Sequence, residues 1–397
     1  MLHRFRYESV RARLRDSQVI GNVEISLTSK SASRCGRWTR VACALVTLLA
    51  ACAQPVKIVS QAPAAGPAAC SWFGDADDRT LYFGESGFWS ATHGAAGDPT
   101  ADLATAAPQV VGRFDLAREA MLAPLATATP LARSGSWDVL VHPNGRIYFT
   151  SYFDPAGWVD ASGRAGRFDR AGHGLNELAL LPDGHVLATR YGKEGGGDGS
   201  LVVLDPDGAV LAEHGLAPIA GATVAAKSLA FDPLRGVVWV NTDVIPAGGG
   251  ASGHDARIVD LASGRELARF TAPELHFPAF AADGRGFFAW VDGTRLVLQI
   301  TEPGTATGPK AGRVLLLDDA FPAGIDFVQD LRAQRDGRVV ATRWSGIVHV
   351  VDAQDRVRTA QLPRPVEKGL YYTAVATRDR VCATYCGGVR VVCAPLP

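Results

Sequence analysis

The 397-residue sequence predicts an all-β propeller of four-stranded blades, seven by count, and three observations predict it. One unit recurs at spacings of about 40 to 65 residues: an apolar strand, a turn built on Pro, Asp-Gly or Asn-Gly, then a strand rich in Val, Tyr and Thr. Between the copies lie further hairpins, so each repeat offers four strands. Turn chemistry agrees, since Gly and Asn accept the positive φ that tight hairpin turns demand.

Taken in chain order, residues 34–51 come first as an export signal. Arg34, Arg37 and Arg40 precede the apolar run Val41–Ala51, which is too short to span a bilayer, and Leu49-Ala50-Ala51-Cys52 ends in small residues before a cysteine. This resembles the lipobox of bacterial lipoproteins, which implies that Cys52 carries a diacylglycerol, palmitate-type anchor as the mature N-terminus. Residues 1–33 then read as a non-native extension upstream of the true start. Residues 52–69 form the lipidated cysteine and an Ala/Pro-rich tether. Residues 70–397 form one propeller domain.

The copies begin at Cys70, Trp137, Asn176, Lys227, His276, Gln329 and Tyr372. The first is weaker than the rest, and if it is only a closing strand the count falls to six. Asp115–Leu122 reads as a hairpin by its match to Asp260–Leu267. The last copy ends at Val389–Pro397 without a fourth strand, so Val56–Ser60 is expected to complete it and close the ring.

A net charge of zero hides an asymmetry: nine Lys/Arg stand against three Asp/Glu before Cys52, leaving 31 against 37 afterwards. That acidic balance argues against nucleic acid as a partner. Removing Cys35 and Cys43 with the signal and Cys52 to the lipid leaves four cysteines in an exported chain, which suggests disulfides. Cys382 and Cys393 face each other across a hairpin turning at Gly387-Gly388, as a wide, hydrogen-bonded pair. Cys70 and Cys386 are expected to meet across the closing seam.

In a ring of blades the first strands line the channel and their starts converge on one mouth. That position holds Cys70, Trp137, Asn176, Lys227, His276, Gln329 and Tyr372, and the next adds Asp138, Glu177 and Asp330. The second strand returns to the same face with Tyr152, Arg190, Asp243, Arg343 and Tyr385. Convergent polar groups mark a binding site. Arg190 and Arg343, fixed-charge forks suited to carboxylate or phosphate, point to a small anionic or polar ligand, with a protein as the other partner class. Asp138, Glu177 and Asp330 read either as catalytic carboxylates or as salt-bridge partners of Lys227, Arg190 or Arg343. Glu274 and His276 form a further acid/base candidate on one strand face.

Over most of residues 70–397 the repeats resemble gluconolactonase/regucalcin-like and NHL-type propellers. In the gluconolactonase group a divalent metal sits at the strand-start position. Here only Asn176, in Asn176-Glu-Leu-Ala-Leu-Leu-Pro182-Asp183-Gly184, matches that group's segment, and Lys227 opposes a hard cation. No metal or other cofactor is therefore expected. The reading is an envelope lipoprotein on the periplasmic side, with Ala53 after Cys52 leaning to the outer membrane. The rival is a hydrolase or lyase using Asp138, Asn176, Lys227 and His276.

Overall fold

Each repeat becomes a four-stranded antiparallel sheet, and seven such sheets close into a ring. The computed structural model describes residues 57–59, 70–86, 110–126, 136–151, 155–192, 197–250, 252–271, 275–307, 312–321, 326–365, 369–386 and 389–397. The signal, Cys52 and most of the tether lie outside the described residues, as do Tyr152, Glu274 and Gly387-Gly388. Among the described residues no helix is long and apolar enough to cross a membrane.

Blade 1 runs Cys70–Ala76, Thr80–Ser86 and Val110–Asp115, with an outer strand in two pieces, Ala120–Met121 and Leu125–Ala126. The hairpin expected at Asp115–Leu122 is present. Blade 2 comprises Val139–Val141, Arg146–Phe149, Gly157–Asp160 and Ala165–Arg167. Blade 3 comprises Leu175–Leu180, Val186–Arg190, Ser200–Leu204 and Val210–Gly215. Blade 4 is the longest, with Ala222–Asp232, Val237–Pro246, Gly253–Asp260 and Glu266–Thr271. Blade 5 holds Leu275–Phe280, Gly286–Asp292, Arg295–Thr301 and Arg313–Asp318. Blade 6 holds Val328–Ala333, Val339–Arg343, Ile347–Val351 and Val357–Gln361. Blade 7 takes Leu370–Ala376, Arg380–Cys386 and Val391–Pro395 from the end of the chain, and Lys57–Val59 supplies its fourth strand. The count is therefore seven, closed by an N-terminal strand as the missing last strand required.

The inner strands of successive blades touch in a full circle, the seventh meeting the first. A single blade cannot bury both its faces, and the core accordingly lies between blades. Leu201 and Val203 of blade 3 pack with Val224 and Val238 of blade 4, Phe287 and Leu298 of blade 5 with Val339 and Ala341 of blade 6, and Phe83 and Phe114 of blade 1 with Val375 and Val391 of blade 7. The turns behind the inner strands need positive φ. Gly145 and Gly184 sit at φ 83° and 85° with open space where a Cβ would stand, so backbone conformation rather than room selects glycine.

Cys382 and Cys393 are bonded within blade 7, directly opposite in the register. Their Cα separation of 4.1 Å is the narrow spacing of a non-hydrogen-bonded pair, which corrects the wide pair expected. Cys386 is also disulfide-bonded, and its register partner in blade 1 is Cys70, whose side chain lies outside the described residues.

A polar and aromatic mouth around the channel

The inner strands share one irregularity near their start, a β-bulge. A bulge places an extra residue against the partner strand and re-aims its side chain. The bulges fall at Trp72-Phe73, Asn176-Glu177, Lys227, His276-Phe277, Gln329 and Tyr372-Thr373, and Trp137-Asp138 occupies the equivalent place in blade 2. Six of the seven positions read from sequence are thus the bulge residues. The exception is Cys70: the residue equivalent to Tyr372 is Trp72, because the blade 1 turn is Asp77-Asp78 and the count backwards lands two residues later. The side chain of His276 lies outside the described residues, while Gln329 is buried.

The second bulge residue reaches the next blade. Asp138 Oδ2 accepts from the Leu178 N–H at 2.9 Å, Glu177 Oε2 from Leu229 N–H at 2.7 Å, and Thr373 Oγ1 from Gly74 N–H at 3.4 Å. Asp330 instead accepts from the Thr373 hydroxyl at 2.8 Å. These carboxylates staple blades together. Their cation is Arg332, which lies 3.4 Å from Asp330 and 3.9 Å from both Asp138 and Asp75. This corrects the partners expected, Lys227, Arg190 and Arg343. Burial pushes Asp138 up to about 7 even though Arg332 pulls the other way. Burial, then the charges of Asp138 and Asp330, raise Glu177 well above the usual carboxylate range, and burial raises Asp330. Burial opposes the Arg332 charge, but the four carboxylates around it outweigh that and raise its pKa. Sequence reading missed Arg332, although it alone breaks an otherwise apolar or acidic position of the inner strands.

Arg190 and Arg343, read from sequence as forks for a ligand, are both engaged by protein groups. Arg190 donates to Glu213 and to the carbonyls of Ala171 and His173. Arg343, 2% exposed, is held by Asp318 and Asp326. Both guanidinium groups are committed inside the fold. Tyr385 is buried against Tyr371.

What remains at the mouth has two sides. On blades 7, 1 and 2, Trp72, Phe73, Trp137 and Tyr372 pack together with ring centroids 4.5 to 5.7 Å apart, and of these only Trp137 is partly exposed. On blade 4 the inner strand has 11 residues against six in blade 3, so its hairpin continues past the bulge above the channel. This extension carries Asp243. Lys227 Nζ lies 3.6 Å from Asp243 Oδ1, His254 Nδ1 lies 2.9 Å from the same oxygen, and Tyr191 from blade 3 donates its hydroxyl to Oδ2 at 3.0 Å. Asp243 is 9% exposed at its side chain, Lys227 31% and His254 40%. One buried carboxylate thus organises a partly exposed lysine and imidazole and a buried phenol. Asn176, beside them, donates to the Lys227 carbonyl and keeps a buried Oδ1 with no hydrogen-bond partner. His254 and Tyr191 had no sequence signal; only the extended hairpin brings them in. Among the described residues no three His, Cys, Asp or Glu side chains are grouped to hold a metal ion.

No protein-family model and no curated protein matches the sequence. Solved structures do match. Virginiamycin B lyase from Staphylococcus aureus, solved as a catalytically inactive histidine-to-alanine variant with quinupristin, covers 86% of this chain and 100% of its own at 9% identity, with a TM-score of 0.54. A calcium-binding regucalcin from Agrobacterium tumefaciens covers 65% of this chain and 89% of its own at 15% identity and a TM-score of 0.43. A gluconolactonase from Xanthomonas campestris covers 87% and 96% at 15% identity and 0.42. The match to the lyase, at 9% identity, is a likeness of fold alone.

Proposed function

We propose that this protein is a lipid-anchored propeller of the bacterial envelope that binds a small anionic or polar ligand at the channel mouth, with Lys227 meeting the charge. The observation that carries the ligand class is the blade 4 cluster. Lys227 is the cation there that keeps solvent exposure, unlike Arg190 and Arg343, and Asp243, its one carboxylate partner among the described residues, is shared with His254. Trp137 offers a partly exposed ring across the mouth for a planar or apolar portion of the same ligand. The anchor rests on Leu49-Ala50-Ala51-Cys52, and Ala53 after it favours the periplasmic face of the outer membrane.

A thermal-shift panel of sugar acids, organic phosphates and small carboxylates tests the ligand class. A compound at about 100 times its Kd stabilises the fold by about 2.7 kcal/mol. That gain is expected to vanish in Lys227→Ala and survive in Lys227→Arg; equal stabilisation of the alanine variant overturns the reading. For the anchor, Cys52→Ala is expected to leave the membrane pellet.

A second reading, a lyase or hydrolase, is favoured by the Asp243–His254 hydrogen bond. A carboxylate on Nδ1 fixes the tautomer and leaves Nε2 as a base, with Lys227 and Tyr191 beside it. His254→Ala is then expected to abolish turnover of a ligand found in the panel while its binding persists.

A further inference from the structure

Away from the mouth cluster, between the outer strands of blades 5 and 6, lies a cleft of about 330 Å³ lined by Leu316, Leu317, Asp318, Asp319, Ile347, His349, Thr359 and Gln361. Its polar lining is rich in acceptors. Asp319 is exposed and has no ion-pair partner among the described residues. Asp318 shares Arg343 with Asp326, so these three groups carry one net negative charge and Asp319 adds a second. Gln361 spends its amide N–H donors on the carbonyls of Ser345 and Leu362, which leaves Oε1 to accept. His349 is 1% exposed; its Nδ1 pairs with Thr359 Oγ1 at 3.0 Å, and Nε2 has no hydrogen-bond partner. A buried imidazole nitrogen without a partner costs free energy unless a ligand satisfies it. Burial, then the Arg343 charge, push the imidazole down to about 4, so it is neutral at ordinary pH, and in the tautomer whose Nδ1–H donates to Thr359 Oγ1 the free Nε2 is an acceptor. The remaining wall is apolar, and Leu316 is 51% exposed on an edge strand with Val314, also 51%.

Two negative charges, neutral acceptors and an apolar wall fit a cation on an aliphatic stem. We propose that this cleft binds an alkylammonium group, its nitrogen between Asp319, Gln361 and His349 and its methylenes on Leu316 and Ile347. A free diamine and a lysine side chain of another protein share that chemistry.

The test titrates the purified lipid-free chain with n-butylammonium, 1,4-diaminobutane, Nα-acetyl-lysine-N-methylamide and n-butanol, and follows the His349 imidazole by 1H–15N NMR. A five-atom probe is expected to bind at about millimolar Kd. Binding by the ammonium probes, absence of binding by butanol, and a weakening of about tenfold in Asp319→Asn support the proposal. Asp319 is exposed, so that variant retains the fold, and an unchanged melting temperature checks it. Stronger binding of the diamine assigns a free amine, and stronger binding of the lysine amide assigns a protein side chain. Butanol binding as tightly as butylammonium, an unchanged affinity in Asp319→Asn, or no shift at His349 overturns it.

Discussion

Two arcs of the ring meet the same requirement with different chemistry. On blades 2, 3 and 6 the second bulge residue is Asp138, Glu177 or Asp330, and the carboxylates reach N–H or O–H groups of the following blade. Across the closure, where blade 7 meets blades 1 and 2, the bulge residues are Tyr372, Trp72, Phe73 and Trp137, with a hydroxyl from Thr373 in place of a carboxylate. The polar arc holds buried charge that Arg332 balances. The aromatic arc holds apolar area, next to a pair of register-matched cysteines. The backbone position fixes what must be satisfied, and leaves open which side chain does it.

The largest expected effect tests the aromatic arc. If Cys70 is the partner of Cys386, the bridge closes a loop of more than 300 residues, for which the chain-entropy model sets an upper figure of about 6 kcal/mol. Cys70→Ala should lower the urea midpoint accordingly, while its non-reducing peptide map recovers Cys382–Cys393 alone; a Cys70–Cys393 peptide in the map of the unsubstituted chain removes the seam bridge from the comparison. Next is the polar arc. Arg332→Met leaves Asp75, Asp138 and Asp330 without their cation, and unbalancing a buried pair costs about 3 to 5 kcal/mol. Adding Asp138→Asn should recover part of that loss.

A smaller effect is a reversed pH slope. Asp138 and Glu85 are pushed up to about 7 by burial, and Glu177 and Asp330 are raised for the same first reason. Between the unfolded carboxylate pKa near 4 and these folded values, the native state binds protons that the unfolded state does not. Stability then falls as pH rises. His349, depressed to about 4, works the other way between pH 6.5 and 4, but it is one group against four. Denaturant midpoints are therefore expected to rise as pH drops from 8 to 5, and Asp138→Asn with Glu177→Gln should flatten that rise.

Repeats and turn residues made the blade architecture legible in the sequence, because each hairpin states its own period and its own turn. The closing strand was legible from a missing fourth strand. Side-chain roles were legible only where backbone register determines them. Asn176 and Lys227 fall on the bulge because their spacing from Pro182 and Pro233 is fixed, whereas Cys70 was misplaced where that spacing differs. Arg190 and Arg343 looked like ligand forks since nothing local announces Glu213, Asp318 or Asp326 as partners. Arg332 and His254 belong to contacts between blades or across an extended hairpin, which spacing along one strand does not encode.

The smallest effect probes a gap in the polar arc. Blade 4 carries Ser228 where blade 3 carries Glu177, and the residue of blade 5 equivalent to Leu229 is Pro278, which has no N–H to donate. Ser228 is fully buried and its Oγ has no hydrogen-bond partner, as that register dictates. A carboxylate here would face no donor, which accounts for the break in the acidic series at this blade. Pro278→Ala restores an N–H and also loosens the unfolded chain, two terms of similar size and opposite sign. A double-mutant cycle separates them. Pro278→Ala measured in Ser228 and in Ser228→Ala backgrounds should differ by about 0.5 to 1.5 kcal/mol, favouring the serine, since the unfolded-state term cancels between them. A coupling of zero would mean that the staple is not a property of this backbone position, and the two arcs would then differ in composition only.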